Sequence, residues 1–319
     1  MKSVLILVFL IVASFAVHGQ SKSGEAVLFG SGVISTPYHE WTTTFTPDGN
    51  TVYFSRGRSP EAIIYSKKLN GKWQTPQIAD FSGTWYDTDP FITRDGKHLY
   101  FCSNRPADQN PTTKTDKTFH IWVVARIDED KWSVPALLDT IINHPGVNSW
   151  YPSETENGDF YFHSYGRPGG HGKNDIYLSK HTGDNFTAPT LISIDTAGFN
   201  TQECAISKRN DFMLFISNKP GGIGLSDIYI TFNKDGVWSK PINMGPQVNH
   251  PYTTAMSPAL SPDETTLYFA TNYIPIPDTP AHMADYQEML KKMDSVYNGF
   301  ANIYSMPLNI AALRSKAVW

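Results

Sequence analysis

The chain has 319 residues, 40% hydrophobic and 13% aromatic, enough apolar material for a large core. Its 26 Lys and Arg stand against 30 Asp and Glu, a formal net charge of −4. That balance gives no electrostatic footprint for nucleic acid or an anionic membrane. Length alone suggests about two domains, but a repeat architecture overrides that prior, because one ring-shaped domain can use the whole chain.

The N-terminus reads as a leader. Lys2 precedes an apolar run from Val4 to Val17, and small and polar residues follow through Gln20. This is the pattern of a secretory signal peptide over residues 1–19. The run is short for a membrane span. No Cys stands near the cut to carry a lipid, and no later stretch is apolar enough to cross a bilayer. The expectation is a soluble exported protein, periplasmic or secreted, in which residues 20–319 form one domain. Export permits disulfides. The two cysteines, Cys102 and Cys204, lie in strands of different repeats and read as buried free thiols.

Five segments then say nearly the same thing: "TPDGNTVYFSR" from Thr46, "TRDGKHLYFCSNR" from Thr93, "TENGDFYFHSYGR" from Thr155, "SKRNDFMLFISNK" from Ser207 and "SPDETTLYFATN" from Ser261. Each begins with a tight hairpin turn, such as Asp48-Gly49 or Asn157-Gly158. A strand with an aromatic pair follows, such as Tyr53-Phe54 or Tyr100-Phe101. After a variable loop comes a third strand, carrying Ile64-Tyr65, Ile121-Trp122, Ile176-Tyr177, Ile228-Tyr229 or Ile303-Tyr304. A second turn bears Trp73, Trp132, Phe186 or Trp238 and leads to a short fourth strand. Four strands per unit, repeated, predict an all-β propeller of four-stranded blades, with five blades preferred over six. A blade cannot bury both faces alone, so the recurring aromatics read as packing between blades. The fifth copy lacks a fourth strand, and Glu25–Thr36 has the character of one. The N-terminal strand is therefore expected to close the ring.

The hairpin turns, the Tyr-Phe strands and "NDIYLS" and "SDIYIT" resemble the WD40-like repeats of TolB-type propellers. They are most similar to exported propeller modules of Bacteroidetes. The resemblance implies the fold, and an envelope protein as a class of partner. It carries no cell-wall anchoring, because the matched motifs belong to the scaffold alone.

Strand order places both tight turns of every blade on one face and all the long loops on the other. Function is expected on the long-loop face. Its candidate ligand-binding residues are Tyr38, Glu40, Trp41, Arg58, Trp85, Tyr86, Asp87, Arg105, Trp150, Arg167, Gln202, Glu203 and His250. Aromatics, carboxylates and cations together suit a protein or glycan partner; Glu40 and Asp87 also suit a purely structural role. The leading expectation is a non-enzymatic binding propeller. The alternative is a carbohydrate-active hydrolase or lyase using acids at the channel mouth, with Glu40, Asp87, Asp89, Glu154 and Glu203 eligible. The spacing of His39, His144, His171 and His250 matches no metal-ligand pattern. No phosphate loop, dinucleotide fingerprint or nucleophile elbow is present, so no cofactor is implied.

One insertion breaks the β pattern. Met283, Tyr286, Leu290, Met293 and Tyr297 fall on one face of a helix over about residues 280–297. Thr279 is placed to cap it. The stripe is expected to pack on the blade rim or to serve as a docking face.

Overall fold

In a computed structural model, residues 24–115, 117–183, 185–194, 198–275 and 285–319 are described. The leader, Thr279, Pro280 and Met283 lie outside them. Five antiparallel sheets make up the fold, one for each repeat. The innermost strands are Glu40–Phe45, Asp87–Ile92, Ser149–Glu154, Thr201–Ile206 and Ala255–Leu260. Three of them carry a proline: Pro90, Pro152 and Pro258. Proline is tolerated there because the inner edge of the strand faces the central axis and pairs with nothing.

Chemistry local to the hairpins explains why the turns recur. In the first, Thr46 Oγ1 donates to Asp48 Oδ1 at 2.6 Å, and the same carboxyl oxygen accepts Asn50 N–H at 3.1 Å. Gly49 follows with φ +69°, the left-handed conformation the turn demands. Ser261 and Asp263 repeat the arrangement at 2.6 Å. The hydroxyl bond holds the Asp48 carboxyl below its ordinary pKa.

The outer strand of blades one to four is split into two short pieces that both pair with the third strand. In blade one these are Lys72–Trp73 and Gln77–Ile78 on Glu61–Leu69. The core lies between blades. Trp132 of blade two meets Tyr53 of blade one edge to face at 5.9 Å, and its indole donates to the Tyr53 hydroxyl at 3.2 Å. Such ring pairs contribute about 0.5–1.5 kcal/mol beyond their area. Cys102 and Cys204 are buried free thiols.

The ring closes as expected. Val27–Leu28 pairs with Asn302–Pro307 and becomes the outermost strand of blade five. Ile34, fully buried, joins Phe45, Phe54 and Ile303 in the core across the closure. Ser35 Oγ donates to Ile303 O at 2.8 Å.

Three details differ from the sequence reading. In blade one Phe54 pairs with Ile64, whereas Phe101 pairs with Trp122 and Phe162 with Tyr177. Ile63-Ile64 is thus the matching pair, and Tyr65 falls one residue later, on the other face of the sheet. A second helix, Ile310–Arg314, follows blade five; Ile310 and Leu313 pack on the core between blades four and five. The insertion helix, α1, spans Tyr286–Met293 with Asp285 as its cap, and none of its residues is buried. Tyr286 and Met293 are 64% and 58% exposed. Of the expected stripe, Tyr286, Met293 and Tyr297 thus face outward and Leu290 is half-buried. No helix among the described residues is long and apolar enough to cross a membrane.

Candidate functional site

Glu40, Asp87, Arg105, Arg167 and Glu203 are engaged inside the scaffold, whereas Arg58 is exposed. Glu40 is fully buried, accepting Thr36 Oγ1 at 2.5 Å and Arg56 Nε at 3.0 Å. Burial still pushes its carboxyl up to about 7. Asp87, also fully buried, accepts Arg105 Nη2 at 2.7 Å and Ser103 Oγ at 2.6 Å. The Arg105 guanidinium lies against Trp85, Phe101 and Trp122, 4.8–5.4 Å from the ring centroids. Arg167 donates to Ile142 O at 2.8 Å and stands over Phe162 and Tyr177, as Lys219 stands over Tyr229. A cation over the ring pair is thus a recurring part of the blade.

Glu203 belongs to a feature the sequence did not reveal. Thr42, Asp89, Tyr151, Glu203 and Ser257, one from each innermost strand, all have left-handed backbones with φ from +43° to +54°. Each sits where the inner strand bulges against its neighbour. At three of them the bulge turns the N–H toward the preceding blade. Asp89 N–H is accepted by Ser55 Oγ at 3.2 Å, Glu203 N–H by His163 Nδ1 at 3.2 Å, and Ser257 N–H by Glu203 Oε2 at 2.7 Å. Thr42 Oγ1 bonds Asp89 Oδ1 at 2.9 Å and lies 3.2 Å from Ser257 Oγ. Burial lifts Asp89 to about 6, and burial with the Asp89 charge lifts Glu203 to about 7. Thr42, Asp89 and Tyr151 lie at the inner end of an axial cavity of about 220 Å³. Pro47, Arg94, Glu156, Lys208 and Pro262 line its mouth, so it opens on the tight-turn face.

Glu61, a further buried carboxyl, was absent from the sequence candidates. It is fully buried, and neither oxygen has a partner at full hydrogen-bond geometry. Burial raises it to about 9, while the nearby Tyr86 and Thr88 hydroxyls lower it only in part. The folded state therefore keeps a proton that the unfolded chain releases near pH 4.5, so this group's contribution falls as pH rises toward 9. Glu61→Gln is expected to be more stable than the parent, by a margin growing up to about 1.4 kcal/mol per pH unit across that window. Urea denaturation at pH 5, 7 and 9 checks this; a margin independent of pH would show that Glu61 is ionised in the fold.

On the long-loop face the aromatic candidates remain reachable. Tyr38 is exposed, while Trp41, Trp85, Tyr86 and Trp150 are half-buried. Trp150 stacks on Phe119 at 4.1 Å, and Tyr86 meets Phe119 edge to face at 5.3 Å. Blades five and one share a second group. His39 contacts Trp41 at 4.1 Å and Phe300 at 5.8 Å, and Arg58 lies 5.7 Å over Phe300. Burial first, then the Arg58 charge, push His39 down to about 4. His250 stacks on Tyr273 at 3.9 Å beside the exposed Tyr252. Gln202 is half-buried. Phe119, Tyr273 and Phe300 were not among the sequence candidates, because they lie in long loops without a repeat position. The described residues contain no group of three or more His, Cys, Asp or Glu that could hold a metal.

Fold and geometry together define a five-bladed β-propeller with an aromatic long-loop face and a hydrogen-bonded ring on its axis. No family model matches the sequence, and no curated protein matches it. Solved structures do. TolB from Acinetobacter baumannii is 12% identical over 84% of this chain and 54% of its own, with TM-score 0.45. An α-L-arabinofuranosidase from Lactobacillus brevis is 14% identical over 86% of this chain and 92% of its own, with TM-score 0.50. Prolyl oligopeptidase B from Galerina marginata is 13% identical over 72% of this chain and 29% of its own, with TM-score 0.41. The chain thus spans about half of that TolB and under a third of that peptidase. At these identities the likeness is one of fold.

Proposed function

We propose that this chain is an exported, non-enzymatic propeller that holds a protein or glycan partner on its long-loop face. The carrying observation is how the side chains are used. Glu40, Asp87 and Arg105 are buried in internal ion pairs, and Arg167 is buried with its guanidinium on backbone carbonyls. Tyr38, Tyr252, Tyr297 and Phe300 stay exposed on loops of blades five and one. Exposed aromatics with polar edges give contact area at small cost in side-chain entropy, which suits recognition. The leader over residues 1–19 belongs to the same reading.

The test is binding of envelope proteins and glycans by the mature protein, compared with Tyr38→Ala and Phe300→Ala. Each substitution is expected to weaken binding tenfold or more with the melting temperature kept; unaltered binding in both removes this face as the site. Met293→Asp on α1, where the side chain is 58% exposed, is expected to change stability by no more than about 0.5 kcal/mol, as at other surface positions. A loss of several kcal/mol in chemical denaturation would show that α1 packs on the propeller.

One observation favours hydrolysis as a second reading. Asp89 and Glu203 sit in one hydrogen-bonded ring on the axis, and burial raises both above the usual carboxylate range, toward the pH at which a carboxyl can serve in proton transfer. Turnover of a polysaccharide by the purified protein, lost in Glu203→Gln, would replace the binding reading with this one.

A further inference from the structure

The gap between blades two and three departs from its counterparts at two positions. The last residue of the innermost strand is Phe45, Ile92, Ile206 or Leu260 in four blades and Glu154 in the third. The turn that carries Trp73, Trp132 and Trp238 elsewhere carries Phe186 in the third. Both changes fall in the same gap. Between blades one and two, the Trp132 indole fills the space and bonds the Tyr53 hydroxyl. Tyr100 is the equivalent tyrosine of blade two, and Phe186 has no N–H to offer it.

A groove of about 710 Å³ results, lined by Tyr100, Glu154, His181 and Phe186 and opening on the tight-turn face. Glu154 is only 9% exposed. His181 Nε2 lies 3.2 Å from Glu154 Oε1, off hydrogen-bonding geometry, and its ring lies against Phe186 at 4.2 Å, tilted by 57°. Glu156 adds a second carboxylate to the lining. Arg94, the fixed cation of the lining, donates to Ile206 O at 2.9 Å and lies nearest Glu264, at 3.7 Å, so it makes no direct bond to Glu154. A buried carboxylate without a hydrogen-bonded cation is costly, and an apolar residue serves this position in four blades.

We propose that this groove is a pocket for an arginine side chain presented by a partner protein. The guanidinium would take the space of the missing indole, lying along the Phe186 ring beside His181 with its N–H groups on Glu154. A planar cation that both stacks and donates in a fork matches this lining better than an ammonium or a neutral group. The site is on the opposite face from the proposed partner surface and stands independently of it.

The test is titration of the folded protein with N-acetyl-arginine methylamide at low salt, followed by amide chemical shifts, with the neutral citrulline analogue as control. Saturable shifts at Gly158, His181 and Phe186 are expected, at least tenfold weaker with citrulline and reduced by added salt. Glu154→Gln removes the charge, and Phe186→Trp restores the ring of the other blades. Each is expected to weaken binding tenfold or more, and Phe186→Trp to keep or raise the melting temperature. No shift in the groove, equal binding of citrulline, or undiminished binding in both variants overturns the proposal.

Discussion

Removing residues 24–36 is expected to lower the melting temperature by about 10 °C or more and to make the protein self-associate. The segment supplies the outermost strand of blade five through Val27 and Leu28. It also buries Ile34 completely and sets Phe29 against Phe45, Trp73 and Tyr268. Each such side chain contributes about 1.5–3 kcal/mol. Arg56 would lose two acceptors, Val33 O at 2.9 Å and Ile34 O at 3.2 Å. The third strand of blade five would then present an unpaired edge, which recruits other chains. Differential scanning calorimetry with light scattering reads both effects. An unchanged melting temperature in a monodisperse truncated protein would mean that the segment does not close the ring.

Arg105→Met is expected to cost about 3–5 kcal/mol, because it leaves Asp87 buried without its cation. Arg105 is 1% exposed and Asp87 fully buried. Besides Asp87, the guanidinium serves Phe81 O at 3.0 Å and Ser103 Oγ at 3.1 Å. Met keeps much of the apolar stem against Trp85 and Trp122, so the loss is mainly electrostatic. Asp87→Asn with Arg105→Met should therefore recover part of the loss, since neither charge then needs a partner. A double-mutant cycle in urea measures the coupling. Additive losses would mean that the pair acts through packing alone.

The pair also shows where sequence reading reached its limit. Asp87 and Arg105 are 18 residues apart and look like two independent surface contacts on neighbouring loops. Their union depends on strand pairing that sets Asp87 opposite Ser103. The axial ring was hidden for the same reason. Thr42, Asp89, Tyr151, Glu203 and Ser257 share no residue type; what they share is backbone conformation at a bulge. Glu154 and Phe186 could have been found, because both stand at repeat positions where the other blades have a different residue.

The blades were legible in the residues because their signals are local. A Thr-x-Asp-Gly turn bonds within itself, strand alternation has period two, and a recurring aromatic reports a recurring partner. Five copies of one unit therefore determined the propeller, its five-fold count and its closure by an otherwise partnerless strand. Tertiary structure alone decided which charges were spent internally and which aromatics stayed exposed. It also decided that Tyr286 and Met293 of α1 face outward, and where a missing indole opened a groove. Each depends on distances between residues far apart in the chain, and burial sets the cost of a charge only once those neighbours are in place.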